Sequence, residues 1–433
     1  MAHDPKNTML EAHSPRFLAF KDYKTIFLAV LGGALEVYDF VIFVFLSAAI
    51  ADVFFPPSVP QWLRLLQSLA IFAVGYLARP VGGLFLAHYS DSVGRKGMFN
   101  FTVLFMALPC LMIGVLPGFD TVGYAAPALL LFARLVQGAA LGGEVPNAWV
   151  FVAEHVPPER RGYALGLLQA GLTVGYMLAA LTTAVLTSVY SPEDLRAWAW
   201  RIPFLLGGVF GFIAVWLRRW LRETPVFLEL QRRREIEKMP VSSVIRKHRR
   251  SAIPSVLLTA ILASAVIMMV VVTPIALQKF HGLDASTTFR LSCVAILCLN
   301  LGCVVAGRIS DWLGAWRTVG LYSILLALAI VMLCASFDES RAYLFVSYML
   351  ACLLCGIVGA VPAVIVQLFP SNMKVTGISL TYNLTYSICS SVLPLFMLGL
   401  LNSTQWGMNV LAVVIGALGV LTVVVFRNIR SYS

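Results

Sequence analysis

Apolar runs of 18 or more residues recur along the whole length of this chain, and that recurrence decides its class before any single residue is considered. A helix rises about 1.5 Å per residue, so each run can cross a hydrocarbon core of about 30 Å. In lipid only helices and closed barrels keep every backbone polar group bonded. The runs lie near 24–50, 63–88, 98–117, 123–153, 163–189, 199–220, 252–279, 287–309, 317–336, 341–368, 376–401 and 405–427, twelve in all. Only 12% of the residues are charged and the mean hydropathy is +0.85, whereas a soluble domain is about a quarter charged. The expected fold is an all-α membrane protein with twelve transmembrane helices.

The net charge of +11 could suggest a nucleic-acid partner, but the basic residues alternate between loops, which is the signature of membrane topology. The N-terminal segment, the even-numbered loops and the C-terminus hold 24 of the 32 Lys and Arg, the odd-numbered loops hold 6, and Arg79 and Arg134 lie inside runs. Both termini are therefore expected to be cytoplasmic, in a multi-pass plasma membrane protein of the bacterial inner-membrane kind. Nucleic acid is not an expected partner, and a monomer in the lipid bilayer is. Eleven of the 24 fall between Arg218 and Arg250, the only long polar segment. The expected organisation is a cytoplasmic N-terminal segment (1–23), a six-helix bundle (24–220), a basic cytoplasmic central loop (221–251), a second six-helix bundle (252–427) and a cytoplasmic tail (428–433). The central loop suits orientation and contact with anionic lipid. The first run is long and carries Glu36 and Asp39, so it reads as a retained helix and not a cleaved leader.

Charges inside the runs are the next constraint, because each costs at least about 2.5–3.5 kcal/mol at mid-bilayer and persists where it has a partner or lines a polar cavity. The first run places Glu36, Asp39, Phe40 and Phe43 at i, i+3, i+4 and i+7, on one helical face. Arg79 precedes Pro80 and two glycines, where small residues let helices approach closely. The fourth run carries Arg134 and Glu144, with Asn147 one turn beyond, and the fifth has a polar stripe at Gln169, Thr173 and Tyr176. Polar groups in the second half are neutral, notably Tyr382, Asn383 and Tyr386. Glu36, Asp39 and Glu144 are thus candidate proton-coupling groups. Arg79, Arg134, Phe43, Asn147, Gln169, Tyr382, Asn383 and Tyr386 are candidate substrate contacts. For each, a fixed ion pair or an interhelical hydrogen bond is the competing structural role.

A short loop pattern then repeats across the halves. Asp91, Gly94, Arg95 and Lys96 follow the second run, and Asp311, Gly314 and Arg317 follow the eighth; Asp91 to Asp311 and Gly94 to Gly314 are each 220 residues. Such a repeat suits two pseudosymmetric bundles with a site between them, and these loops are candidate gates. All eight cysteines lie in apolar runs, where Cys352 and Cys355 read as packing residues. No metal site, cofactor site, nucleophile elbow or phosphate loop is evident, so an enzyme is not expected.

The two Asp-x-x-Gly loops together with Arg134-x-x-Gln137-Gly138 resemble the major facilitator superfamily. More narrowly, LEVYDF, ARPVGG, GGE (142 to 144), AEHVPPERRG, WRIPFLLG, ETPVF and LFPSNMKVTGISLTYN are similar to its metabolite:proton symporter branch. That resemblance implies alternating access and proton-coupled import of a small polar metabolite, either an organic acid or a zwitterion such as proline or betaine. It also favours the acids of the first and fourth runs as coupling groups. Val145-Pro146 stands where the branch usually has Tyr-Gly, and Ser92 where it has a basic residue. A proton-linked exporter of a metabolite, siderophore or drug is the alternative on the same architecture.

Overall fold

A computed structural model of the chain describes residues 18–233, 235, 240–283, 285–336, 340–403, 410 and 412–421. Among these the regular elements are helical: α1 (Phe20–Phe45), α2 (Gln61–Val93), α3 (Arg95–Val115), α4 (Ala125–His155), α5 (Arg161–Val189) and α6 (Arg201–Arg218) in the first half. In the second half α7 runs Arg249–Val266 and continues through a wider π turn, Ile267–Val272, into Thr273–His281. It is followed by α8 (Ala285–Leu313), α9 (Ala315–Ala335), α10 (Arg341–Leu354, then Ile357–Ile365), α11 (Lys374–Ser403) and α12 (Ala412–Leu421). Ten of the described helices are long and apolar enough to cross a membrane. The expected twelfth run, 405–427, is described only at 410 and over α12, and the tail 428–433 and residues 1–17 lie outside the described residues.

Local chemistry accounts for the breaks. Pro274 has no N–H to offer the preceding turn, and the helix widens there while Thr273 Oγ1 bonds back to the Met268 carbonyl at 2.8 Å. The segment expected as the basic central loop, 221–251, carries two short helices, Pro225–Arg233 and Pro240–Lys247.

The chain inverts the polarity order of a soluble protein. Arg79 is 3% exposed while Leu77 and Val81 beside it are 61% and 75% exposed, so α2 shows its apolar face outward and its charge inward. Lipid outside and polar groups inside is the arrangement a bilayer imposes. Small residues bring the helices together. A Cβ on Gly138 of α4 would lie 1.8 Å from the Gly75 carbonyl of α2, and one on Gly166 of α5 would lie 2.6 Å from the Cys303 carbonyl of α8. These close crossings place α2 against α4 and join the two halves along α5 and α8. Gly138→Ala is expected to cost about 1–3 kcal/mol by overpacking and to lower the Tm by several degrees in a thermal-shift assay. An unchanged Tm would show that the crossing yields freely.

Candidate functional site

A small cavity of about 50 Å³ lies among α1, α2, α4, α5, α7 and α11, enough for a few water molecules. Of the expected site residues, Glu36, Arg79, Gln169, Tyr382 and Tyr386 line it. The Arg79 guanidinium sits 5.5, 5.6 and 4.9 Å from the rings of Tyr76, Tyr382 and Tyr386, and its Nε has no hydrogen-bond partner. Glu36, 2% exposed, faces the cavity with Oε2 also unpartnered. Phe40 and Tyr176 complete an aromatic wall. Gln169 Oε1 accepts from Trp149 Nε1 at 3.2 Å, and Thr173 Oγ1 meets Asn300 Oδ1 across the α5–α8 crossing.

Arg134 and Asp39 form a second charged group outside the cavity lining. Arg134 is fully buried, donates to Gln137 Oε1 at 2.8 Å, and lies 4.5 and 4.2 Å from the rings of Phe40 and Phe43. Its Nε and Nη2, Asp39 Oδ1 and Gln137 Nε2 all lack hydrogen-bond partners. Phe43, expected as a substrate contact, is placed against Arg134.

Glu144 pairs with neither Arg79 nor Arg134. Its partner is Arg218, the last residue of α6, at 2.6 Å, and Thr102 Oγ1 donates to its other oxygen. Arg218 also donates to the carbonyls of Leu28, Phe99 and Ala29 at 3.0, 2.8 and 2.9 Å, and stacks 3.7 Å over Phe99. The alternation of charge had placed Arg218 at the edge of the central loop; the structure buries it completely. Asn147 and Asn383 are likewise held away from the cavity lining. Ser90 donates to Asn147 Oδ1 at 2.8 Å, Asn147 donates to the Arg95 carbonyl at 3.1 Å, and Asn383 donates to the Gly142 carbonyl at 2.7 Å.

The repeated loops meet helix N-termini of the opposite half, where unpaired N–H groups attract carboxylates. Asp91 accepts from Val375 and Thr376 at 3.3 and 2.8 Å, and Asp311 accepts from Gly162 and Tyr163 at 2.7 and 3.0 Å. Gly94 and Gly314 make the turns between their helices at φ +136° and +88°, a region that favours glycine. Around Asp91 the latch is filled: Arg95 pairs with Glu154 at 2.8 Å and donates to the Ser371 carbonyl at 2.7 Å, and Lys374 reaches Glu154 at 3.6 Å. Lys96 contributes its backbone N–H to Glu223 at 3.1 Å. Around Asp311 the same register puts Ala315 for Arg95 and Gln367 for Glu154, and a groove of about 380 Å³ opens there. Arg317 is exposed over the Trp316 ring at 5.2 Å.

Tyr76 and Arg218 were not among the expected site residues. Tyr76 could have been found three residues before Arg79, on the same helical face. Arg218 carries no sequence signal that separates it from Arg219 beside it.

A model of the Major Facilitator Superfamily matches residues 29–394. The chain is 29% identical over 418 residues to the inner membrane metabolite transport protein YhjE of Escherichia coli, covering 93% of this chain and 92% of that one. It is 30% identical over 395 residues to the proline/betaine transporter of Salmonella typhimurium, covering 88% and 78%. Among solved structures, the proton:xylose symporter XylE bound to a bromodeoxyglucose superposes with a TM-score of 0.78 at 14% identity, covering 93% of this chain and 94% of that one. XylE from E. coli in a partially occluded inward-open form gives 0.69, also at 14% identity, covering 94% and 97%. That likeness shows the fold. The chain belongs to the Major Facilitator Superfamily and is a multi-pass membrane transporter of small molecules.

Proposed function

We propose that this transporter is a proton-coupled symporter that imports a small zwitterion, of the amino-acid or betaine type, through alternating access of two pseudosymmetric six-helix bundles. In this reading the bundles are 24–220 and 252–427, both termini are cytoplasmic, and the Asp91 and Asp311 loops close the cytoplasmic end. The observation that carries it is the cavity, which sets one open carboxylate oxygen, on Glu36, and one open guanidinium nitrogen, on Arg79, among tyrosine rings. A solute carboxylate would take Arg79 through charge-assisted hydrogen bonds. Its cationic end would take Glu36 and the ring faces, which attract ammonium groups by about 0.5–2 kcal/mol each. Curated relatives named as proline/betaine transporters support that class of cargo. Asp39 carries the proton: it is buried, its Oδ1 has no hydrogen-bond partner, and the charge of buried Arg134 acts on it. A proton there removes an uncompensated charge before the bundle closes around it.

The test is purified protein in liposomes loaded with a pH-sensitive dye, challenged with glycine betaine, proline, citrate, 2-oxoglutarate and shikimate. Luminal acidification with betaine or proline is the expected result. Alkalinisation would replace symport with proton-linked export, and a response confined to the multivalent acids would overturn the zwitterion assignment.

A further inference from the structure

Arg218 joins two places that the rest of the chain keeps apart. Its guanidinium lies against Gly32, where a Cβ would sit 2.2 Å from Nη2, and Gly32 is one turn before Glu36 on α1. On its other side is Glu144 at 2.6 Å. Glu36 of α1 is thus one turn from the glycine against which the guanidinium packs, with Glu144 of α4 on the other side. Downstream of Arg218 the chain runs directly into the latch. Leu221 is buried, Glu223 accepts the Lys96 N–H, Thr224 Oγ1 donates to Glu154 at 2.8 Å, and Arg95 lies 5.3 Å from the Phe227 ring. Phe99, which holds Arg218 by its carbonyl and ring, is one turn from Arg95 on α3.

We propose that Arg218 is a positioning residue that reports the charge balance between Glu36 in the cavity wall and Glu144 in α4 to the Asp91 latch. With Glu144 ionised, Arg218 is held at α4 and the segment 221–227 stays seated on Arg95 and Glu154. A proton on Glu144 leaves Glu36 as the carboxylate available to a buried guanidinium that cannot lose its own charge. Arg218 then shifts past Gly32 toward the cavity and draws Glu223 and Thr224 off the latch. Neutralising Glu36, as the cationic end of a bound solute does, acts in the opposite sense: Arg218 is left wholly to Glu144 and the latch tightens. A solute bound while Glu144 stays ionised is therefore held at the latch, whatever the charge state of Asp39.

The proposal rests on the cavity being the solute site, but its test needs no solute and so can fail separately from the choice of cargo. Amide hydrogen exchange would be measured on the full chain in lipid nanodiscs at Val375 and Thr376, whose N–H groups bond Asp91. Such exchange follows local opening. Glu144→Gln is expected to speed it by about tenfold and Glu36→Gln to slow it by about threefold. In an Arg218→Lys background, neither change should move it by more than about twofold. Damage to a merely structural cluster would speed exchange in every variant, and that result, or a lysine background that responds as the native chain does, overturns the proposal. If Arg218→Lys fails to fold, the opposite signs of the two single variants still decide it.

Discussion

Asp39→Asn is expected to abolish uphill accumulation while leaving solute exchange at equal concentrations within about threefold of the native rate. An asparagine at this position is permanently in the neutral state that the proton would otherwise produce. Asp39 is 3% exposed and packed so closely on Gly207 of α6 that a Cβ there would lie 2.1 Å from Oδ1. An ionised carboxylate in such a place is costly, and its nearest countercharge, Arg134, also has two nitrogens without partners. Binding a proton at Asp39 therefore changes the free energy of closing the bundle, and a residue that cannot bind one removes that linkage. The size of the loss follows from the driving force. A net-neutral zwitterion moving with one proton carries one charge, which at 100 mV supplies about 2.3 kcal/mol, or roughly 50-fold accumulation. Asp39→Asn should bring that ratio to about one. Vesicle uptake under an imposed potential measures the ratio, and counterflow measures the exchange. Retained 50-fold accumulation would remove Asp39 from the coupling mechanism.

How far the sequence reached is visible in single residues. Helix positions followed from apolar run length because the bilayer fixes that length, and the expected fourth run, 123–153, differs from α4, Ala125–His155, by two residues at each end. The partners of buried charges were beyond reach. Arg134 and Glu144 share a helix, yet Arg134 is sandwiched by phenylalanines of α1 while Glu144 turns to α6. Ten residues of helix put them about 15 Å apart along the axis, too far to pair, and which neighbour each meets depends on how α1, α3, α4 and α6 are rotated. Arg218 shows the same limit. A run of basic residues at a helix end reads as a solvated loop, and the carbonyls of Leu28, Ala29 and Phe99, with Glu144, make one of them an interior residue.

The repeated loops were legible as a motif but not as a structure. Their spacing identified Asp91 and Asp311, while what each carboxylate bonds, two N–H groups at the start of a helix in the other half, is a tertiary fact. The substitution of Ala315 for Arg95 and Gln367 for Glu154 becomes meaningful only once those residues are seen to line one groove.

Arg79→Lys is expected to weaken binding of a carboxylate-bearing solute by roughly 30- to 5,000-fold, the 2–5 kcal/mol typical of disrupting a buried charge pair. Lysine keeps the charge but loses the planar fork that grips a carboxylate in two places and the face that stacks on Tyr76, Tyr382 and Tyr386. The change should cost little stability, because Arg79 Nε has no hydrogen-bond partner within the protein, so a melting curve separates lost binding from lost fold. A second ligand sharpens the test. Choline offers the same quaternary ammonium as glycine betaine and no carboxylate, so in the native protein it gains from Glu36 and the rings but leaves Arg79 unanswered. Arg79→Ala removes that unanswered cation, and calorimetric titration should then show choline bound at least as tightly as betaine. If betaine affinity survives both substitutions, the carboxylate end of the solute does not meet Arg79. The polarity of the site would then have to be reversed or moved to the open nitrogens of Arg134.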